Sequence, residues 1–136
     1  MGQKVVALDT SVFIYVLEAH PVYAHPAMAL LARIRDGAWS GVFASVGMIE
    51  LLTGPKQAGR VDLAVAYERH LAAFPNLEIA PLSERVIWLA SDLRAKYGIR
   101  TPDAIHLATA LAAGADEFIT NDKALRKVQE LSVVMV

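Results

Sequence analysis

"RTPDAIHLATALAAGADEFIT", residues 100–120, reads as a helix, a glycine and a strand in direct succession. Pro102 suits a first helical turn, residues 102–113 form an apolar helix, and Gly114 closes it. "EFIT" (117–120) then reads as a short strand. A helix that delivers the chain straight into a strand is half of a βαβ unit, which points to a parallel sheet. The same stretch raises a question of charge: Asp103 stands at the head of a helix that is otherwise apolar.

The pattern repeats in both directions along the chain. "KVVAL" (4–8), "GVFAS" (41–45), "LEIAP" (77–81) and "SVVMV" (132–136) read as four more strands. They are continuous apolar runs, as strands covered on both faces should be. Helical periods lie between them: residues 11–19, residues 26–37 from Pro26 to Gly37, and a helix through "MIELL". Residues 62–74 carry Leu63, Tyr67, Leu71 and Phe74 at helical spacing, with Asp62 as the expected cap. Residues 83–98 run from a Ser83 cap to Gly98 with Val86, Leu89, Leu93 and Tyr97 on one stripe. A stripe of Met28, Leu31 and Ile34 is expected in the core, or else at a dimer interface. "GPKQAGR" (54–60) reads as a loop. Strands alternating with helices predict a single α/β domain over residues 1–136, a three-layer α/β/α sandwich with a central, mainly parallel five-stranded sheet. Strand order cannot be read from these patterns.

Composition narrows the function. Of 136 residues, 55% are hydrophobic and 20% charged, enough apolar material for a sizeable core. No apolar run approaches the roughly 18–20 residues of a membrane span, and no signal-peptide segment precedes Asp9, so a cytoplasmic protein with no membrane partner is expected. There is no cysteine, which excludes disulfides, thiolate metal sites and cysteine nucleophiles. A net charge of −1 argues against tight, charge-driven binding to nucleic acid, though not against local basic patches or binding through a metal.

Ten of the fourteen acidic residues have ordinary surface or helix-end explanations. Asp92, for instance, is four residues before Lys96, a good ion-pair spacing. The other four are Asp9, Glu50, Asp103 and Asp122. Asp9 and Asp122 follow strands directly, at their carboxyl ends. Asp103 opens the helix that feeds the fourth strand, so a right-handed crossover returns it to the same sheet edge, where open α/β sheets bind ligands. Glu50 lies in an apolar helix that gains nothing from it. Taken singly, Asp9, Asp103 (behind a Thr101 cap) and Asp122 can each be a helix-end residue. Together in one concave site they would repel unless protonated or held by a cation. Oxygen ligands select a hard ion, Mg²⁺ or Mn²⁺, and such an ion suits phosphodiester hydrolysis.

Four segments carry a resemblance: "VVALDTSVFIY", "ASVGMIELL", "TPDAIHLATAL" and "FITNDKAL". In order and spacing the chain resembles PIN-domain ribonucleases, in particular the VapC-type toxins of toxin–antitoxin modules, over essentially its whole length. The resemblance implies a PIN-like fold and RNA as substrate. It makes Asp9, Glu50, Asp103 and Asp122 both the catalytic residues and the ligands of one or two Mg²⁺ or Mn²⁺ ions. It implies a homodimer, and a cognate antitoxin whose C-terminal segment covers or enters the acidic groove. Thr10, Ser11 and Thr120 would add hydroxyls, unless they serve as caps or strand-end donors. The acidic pattern is complete, so nothing points to a dead enzyme. Residues 54–72 match nothing in the family and are where substrate choice can differ.

His106, three residues after Asp103, can face the site, although the ordinary role of such a histidine is a hydrogen-bonded core or rim residue. His20 and His25 form no helical metal pair and His70 stands alone, so nothing points to zinc. Lys56, Arg60, Arg94, Lys96 and Arg100 are either scattered surface charge or phosphate contacts, Arg100 being the best placed. A phosphatase using an aspartyl-phosphate would want an acid where Ser11 stands, and a receiver domain would need an acidic pair absent from "KVVALDT". The remaining alternative is a non-catalytic RNA- or protein-binding module on the same fold.

Overall fold

A computed structural model describes residues 3–136. The elements run β1 (Lys4–Leu8), α1 (Thr10–Leu17), α2 (Ala24–Arg35), β2 (Trp39–Ala44), α3 (Val46–Gln57), α4 (Val61–Ala72), β3 (Leu77–Ala80), α5 (Glu84–Tyr97), α6 (Thr101–Ala112), β4 (Glu117–Thr120), a 3₁₀ helix at Lys123–Lys127, and β5 (Ser132–Met135). The five strands form one sheet in the order β3-β2-β1-β4-β5. Every neighbouring pair is parallel, so the expected "mainly parallel" sheet is wholly so.

Each strand feeds two cores, because successive side chains point to opposite faces. Val6, Leu8, Phe43 and Ile119 pack on one face with Val12, Phe13, Leu31, Ile34, Leu51 and Leu71, which come from α1 to α4. Ala7, Val42 and Phe118 pack on the other with Val86, Leu93, Leu107 and Ala108 from α5 and α6. Helix α6 is the most enclosed. Ala104, His106, Leu107, Ala108, Thr109 and Ala110 are all buried, and its small residues let α5 lie close against it. The hydroxyl of Thr109 is satisfied within the helix, donating to the Ile105 carbonyl at 2.7 Å.

Several local expectations are corrected. Residues 54–57 are not loop but the last turn of α3. Gly54 has no Cβ to clash with the ring of Pro55, so the residue before proline can stay helical. Packing of α3 on α4 holds the turn, and the stop comes at Gly59, whose φ is +73°. Asp62 does not cap α4. Arg60 occupies that position, and Asp62 in the first turn takes a two-pronged contact from its guanidinium at 3.0 Å. On α2 the buried residues are Ala27, Leu31 and Ile34, while Met28 is exposed. Lys96 pairs with Glu130 rather than Asp92. Ser83 does cap α5, its Oγ accepting from the Val86 N–H, and Gly98 ends that helix in a left-handed conformation.

One glycine sits at a close approach. A Cβ on Gly47 would lie 2.3 Å from Cζ of Phe43 and 2.9 Å from Oγ1 of Thr10. Gly47→Ala should therefore cost about 1–3 kcal/mol of stability through overpacking. Pro55→Ala in the same helix should do the opposite. It restores a backbone donor inside the helix, a gain of about 1–2 kcal/mol after the lost rigidity of the unfolded chain is subtracted. Urea denaturation of the two variants checks both signs; an unchanged midpoint for Gly47→Ala would show that Phe43 can give way.

Candidate active site

The strand order creates the site. From β1 the chain builds outward through β2 and β3, then returns to the other side of β1 for β4 and β5. Connections leave the carboxyl ends of β1 and β4 in opposite directions, opening a crevice between them, the general place for ligands in such sheets. Asp9 is the first residue beyond β1. Its N–H still belongs to the sheet, donating to the Ile119 carbonyl at 2.9 Å. It stands at the N-cap of α1 but makes no side-chain cap bond. Its carboxylate accepts instead from the Thr120 hydroxyl at 2.6 Å. Thr120 is fully buried and also receives the Asp122 N–H at 3.0 Å, so one side chain fixes both strand ends.

Asp122 keeps part of its ordinary role. One carboxylate oxygen accepts from the Ala124 N–H at 3.0 Å, capping the 3₁₀ helix. Asp103 is the third residue of α6. The cap position is Arg100 rather than Thr101, and no side chain there makes a cap bond. Burial raises the Asp103 carboxyl above its usual pKa, and the negative charges of Asp9 and Asp122 raise it further. Arg100 and His106 oppose this. The Arg100 Nε lies 3.7 Å from Asp103 Oδ2, while that side chain is 82% exposed and so only partly compensates. Asp9 and Asp122, from two other segments, thus both act on Asp103 at one sheet edge.

Glu50, in the first half of α3, shares Arg100 and His106 with Asp103 as charged neighbours. Its carboxyl is lowered by its contact with His106, against the opposing effect of burial, with smaller help from the Thr10 hydroxyl and Arg100. The His106 Nε2 to Glu50 Oε1 distance is 3.5 Å, a loose contact. His106 is buried, accepts or donates at Thr10 Oγ1 at 3.1 Å, and stacks on Phe43 at 5.9 Å between centroids. The Ser11 hydroxyl, expected near the site, is buried with no hydrogen-bond partner.

Among the described residues, no three His, Asp or Glu side chains are gathered tightly enough to chelate one ion directly. The donor set nonetheless fits a hard ion: it is all oxygen and negatively charged, with Asp9 and Asp103 half-buried and Glu50 and Asp122 open to solvent. Mg²⁺ in particular is usually held by one or two carboxylates while it keeps several waters. Of the basic residues considered for phosphate, Arg60 is taken by Asp62, Lys96 by Glu130, and the Arg94 Nε by the Ile99 carbonyl. Arg100 alone of that group leans toward the aspartates. Two residues went unmarked in the sequence. Asn121 donates to the Tyr15 hydroxyl at 2.8 Å, tying the end of β4 to α1 beside Asp122. Nothing short of the fold brings that pair together.

The chain resembles known structures over nearly its full length. VapBC2 from Rickettsia felis, bound to a DNA fragment from its promoter, matches with a TM-score of 0.75 and 19% identity, covering 96% of this chain and 98% of that one. DNA-bound VapBC from Salmonella typhimurium matches with a TM-score of 0.76 and 15% identity, covering 98% of both chains. A toxin–antitoxin complex from Klebsiella pneumoniae matches with a TM-score of 0.70 and 23% identity, covering 95% of both. No curated protein matches the chain significantly in sequence. The PIN-domain profile matches residues 6–131, nearly the whole chain, and with the parallel sheet and its two helical layers it identifies this protein as a member of the PIN-domain family.

Proposed function

We propose that the protein is a Mg²⁺- or Mn²⁺-dependent endoribonuclease acting as the toxin of a toxin–antitoxin pair. The observation that carries this reading is the meeting of Asp9, Asp103 and Asp122 at the β1–β4 crevice, where Arg100, largely exposed, and His106 offset them only in part. Asp9, Asp103, Asp122 and Glu50 are the residues that would hold the ion. When bound, a divalent ion supplies Lewis acidity and a water acidic enough to attack a phosphodiester near neutral pH. The chain's part is to fix the donors. Thr120 holds Asp9 through its hydroxyl and braces the Asp122 backbone, while Arg100, 3.7 Å from Asp103, would meet an RNA phosphate.

The structural neighbours described as VapBC and toxin–antitoxin complexes support an antitoxin partner. A homodimer and a cytoplasmic location are part of the same proposal. No helix among the described residues is long and apolar enough to cross a membrane. A non-catalytic binding module on this fold is the competing reading. It gains from the absence, among the described residues, of a ready-made cluster of three ligands.

Purified protein should cleave structured RNA with Mn²⁺ and not with EDTA. Asp9→Asn, Asp103→Asn and Asp122→Asn should each lower the rate at least ~100-fold, the scale of losing several kcal/mol of metal-derived stabilisation. Folded wild-type protein that binds RNA but cleaves none of it in Mn²⁺ would favour the binding module.

A second test needs no substrate. Because the Asp103 pKa is raised in the fold, its stabilising contribution is present below the usual carboxylate range and is lost as pH rises through the folded pKa. At pH 7 without metal, Asp103→Asn should raise the melting temperature by roughly 1–3 °C, the gain shrinking towards pH 4. Added Mn²⁺ should stabilise the wild type more than the variant. Equal melting temperatures in EDTA at pH 7 would mean that the aspartates do not strain one another.

A further inference from the structure

We propose that His106 is a positioning residue that, through Thr10, sets the orientation of Glu50 at the edge of the acidic crevice; this rests on the nuclease reading above. The imidazole is 2% exposed, yet its Nδ1 has no hydrogen-bond partner. A proton on Nδ1 would be a buried donor without an acceptor, so the imidazole carries its proton on Nε2. That nitrogen lies 3.1 Å from Thr10 Oγ1 and 3.5 Å from Glu50 Oε1. The shorter contact takes the larger share of the proton and the longer one leaves Glu50 a weaker share. The Thr10 hydroxyl, its acceptor role filled by His106, is left to donate towards Glu50, whose carboxyl it helps to hold low.

The rest of the seat holds the ring in place. His106 stacks on Phe43, and the two rings are tilted by only 27°. Gly47 supplies the space in which the Phe43 ring and the Thr10 hydroxyl fit. Thr10 is itself 1% exposed, so neither donor has water as an alternative. Glu50, by contrast, has a side chain 45% exposed on a helix surface. Without the seat a long carboxylate at that surface would turn to solvent. The device differs from the Thr120–Asp9 bond in acting through a hydroxyl relay anchored in the core.

The test compares His106→Leu, which keeps bulk and loses the donor, with His106→Gln, which keeps an N–H at similar reach. Mn²⁺ binding to the protein without RNA is measured by titration calorimetry, beside kcat and KM for RNA cleavage. His106→Leu should weaken Mn²⁺ binding about tenfold, the usual scale for losing a group that orients a ligand. His106→Gln should recover most of that loss. In a Glu50→Gln background, His106→Leu should change Mn²⁺ affinity by less than about twofold, because no carboxylate remains to orient. KM for RNA should move little while kcat falls. If His106→Leu does not fold, Thr10→Val should give the same pattern against Thr10→Ser. Unchanged Mn²⁺ affinity in a folded His106→Leu, or an equal loss with Glu50→Gln present, overturns the proposal. Should Asp103→Asn still abolish Mn²⁺ binding in that case, the nuclease reading survives alone. Wild-type protein that binds no Mn²⁺ brings down both.

Discussion

The parallel pairing of β1 with β4 is the constraint from which the site follows. These strands come from opposite ends of the chain, and their register sets Val6 beside Glu117 and Leu8 beside Ile119. The ladder ends with the Asp9 N–H on the Ile119 carbonyl. That last bond places Asp9 level with Thr120, within reach of its hydroxyl. A one-residue slip would turn Thr120 away and send Val6 and Leu8 into the wrong core. Such long-range pairing has a large entropic cost, which two buried layers offset. The register of the acidic residues is therefore secured by apolar packing on both faces, not by any attraction among themselves.

Much of this was legible because local chemistry and tertiary need agree. α5 has both its signals in the sequence, Ser83 at one end and Gly98 at the other, and it begins and ends where they say. β1 and β4 are short apolar runs bounded by polar residues, and the acids that follow them fall at the strand ends as read. The profile match supports the likeness drawn from four short segments. Where the reading failed, a neighbour outvoted a local signal. "GPKQ" has every mark of a loop, yet packing against α4 keeps it helical. Asp62 has the look of a cap, but the guanidinium two residues before it captures its carboxylate first.

The candidate site divides along the same line. That Asp9, Asp103 and Asp122 would share an edge follows from strand ends and crossover handedness, both sequence-level ideas. That Glu50 would be met by a buried histidine does not. Its partners Thr10 and His106 lie on two other helices, and their meeting depends on Gly47 leaving room for Phe43. A glycine inside an apolar helix start gives no hint, in one sequence, that its missing side chain matters. Nor does spacing reveal that Lys96 prefers Glu130 to Asp92, since that choice is made by where the loop before β5 lies.

The two halves of the site are also neutralised differently, and this has a consequence for how it works. Glu50 is stabilised as an anion by groups built into the fold, so folding favours its charge. Asp103 is destabilised as an anion by burial and by two neighbouring carboxylates, so folding opposes its charge. A permanent internal cation beside the aspartates would remove that cost, but it would also fill the crevice. Arg100 avoids this by staying outside, close enough to screen and exposed enough to yield to a ligand. The strain left in Asp103 is thus available to whatever positive charge enters, while Glu50, held by His106, would add a ligand without first having to be ordered.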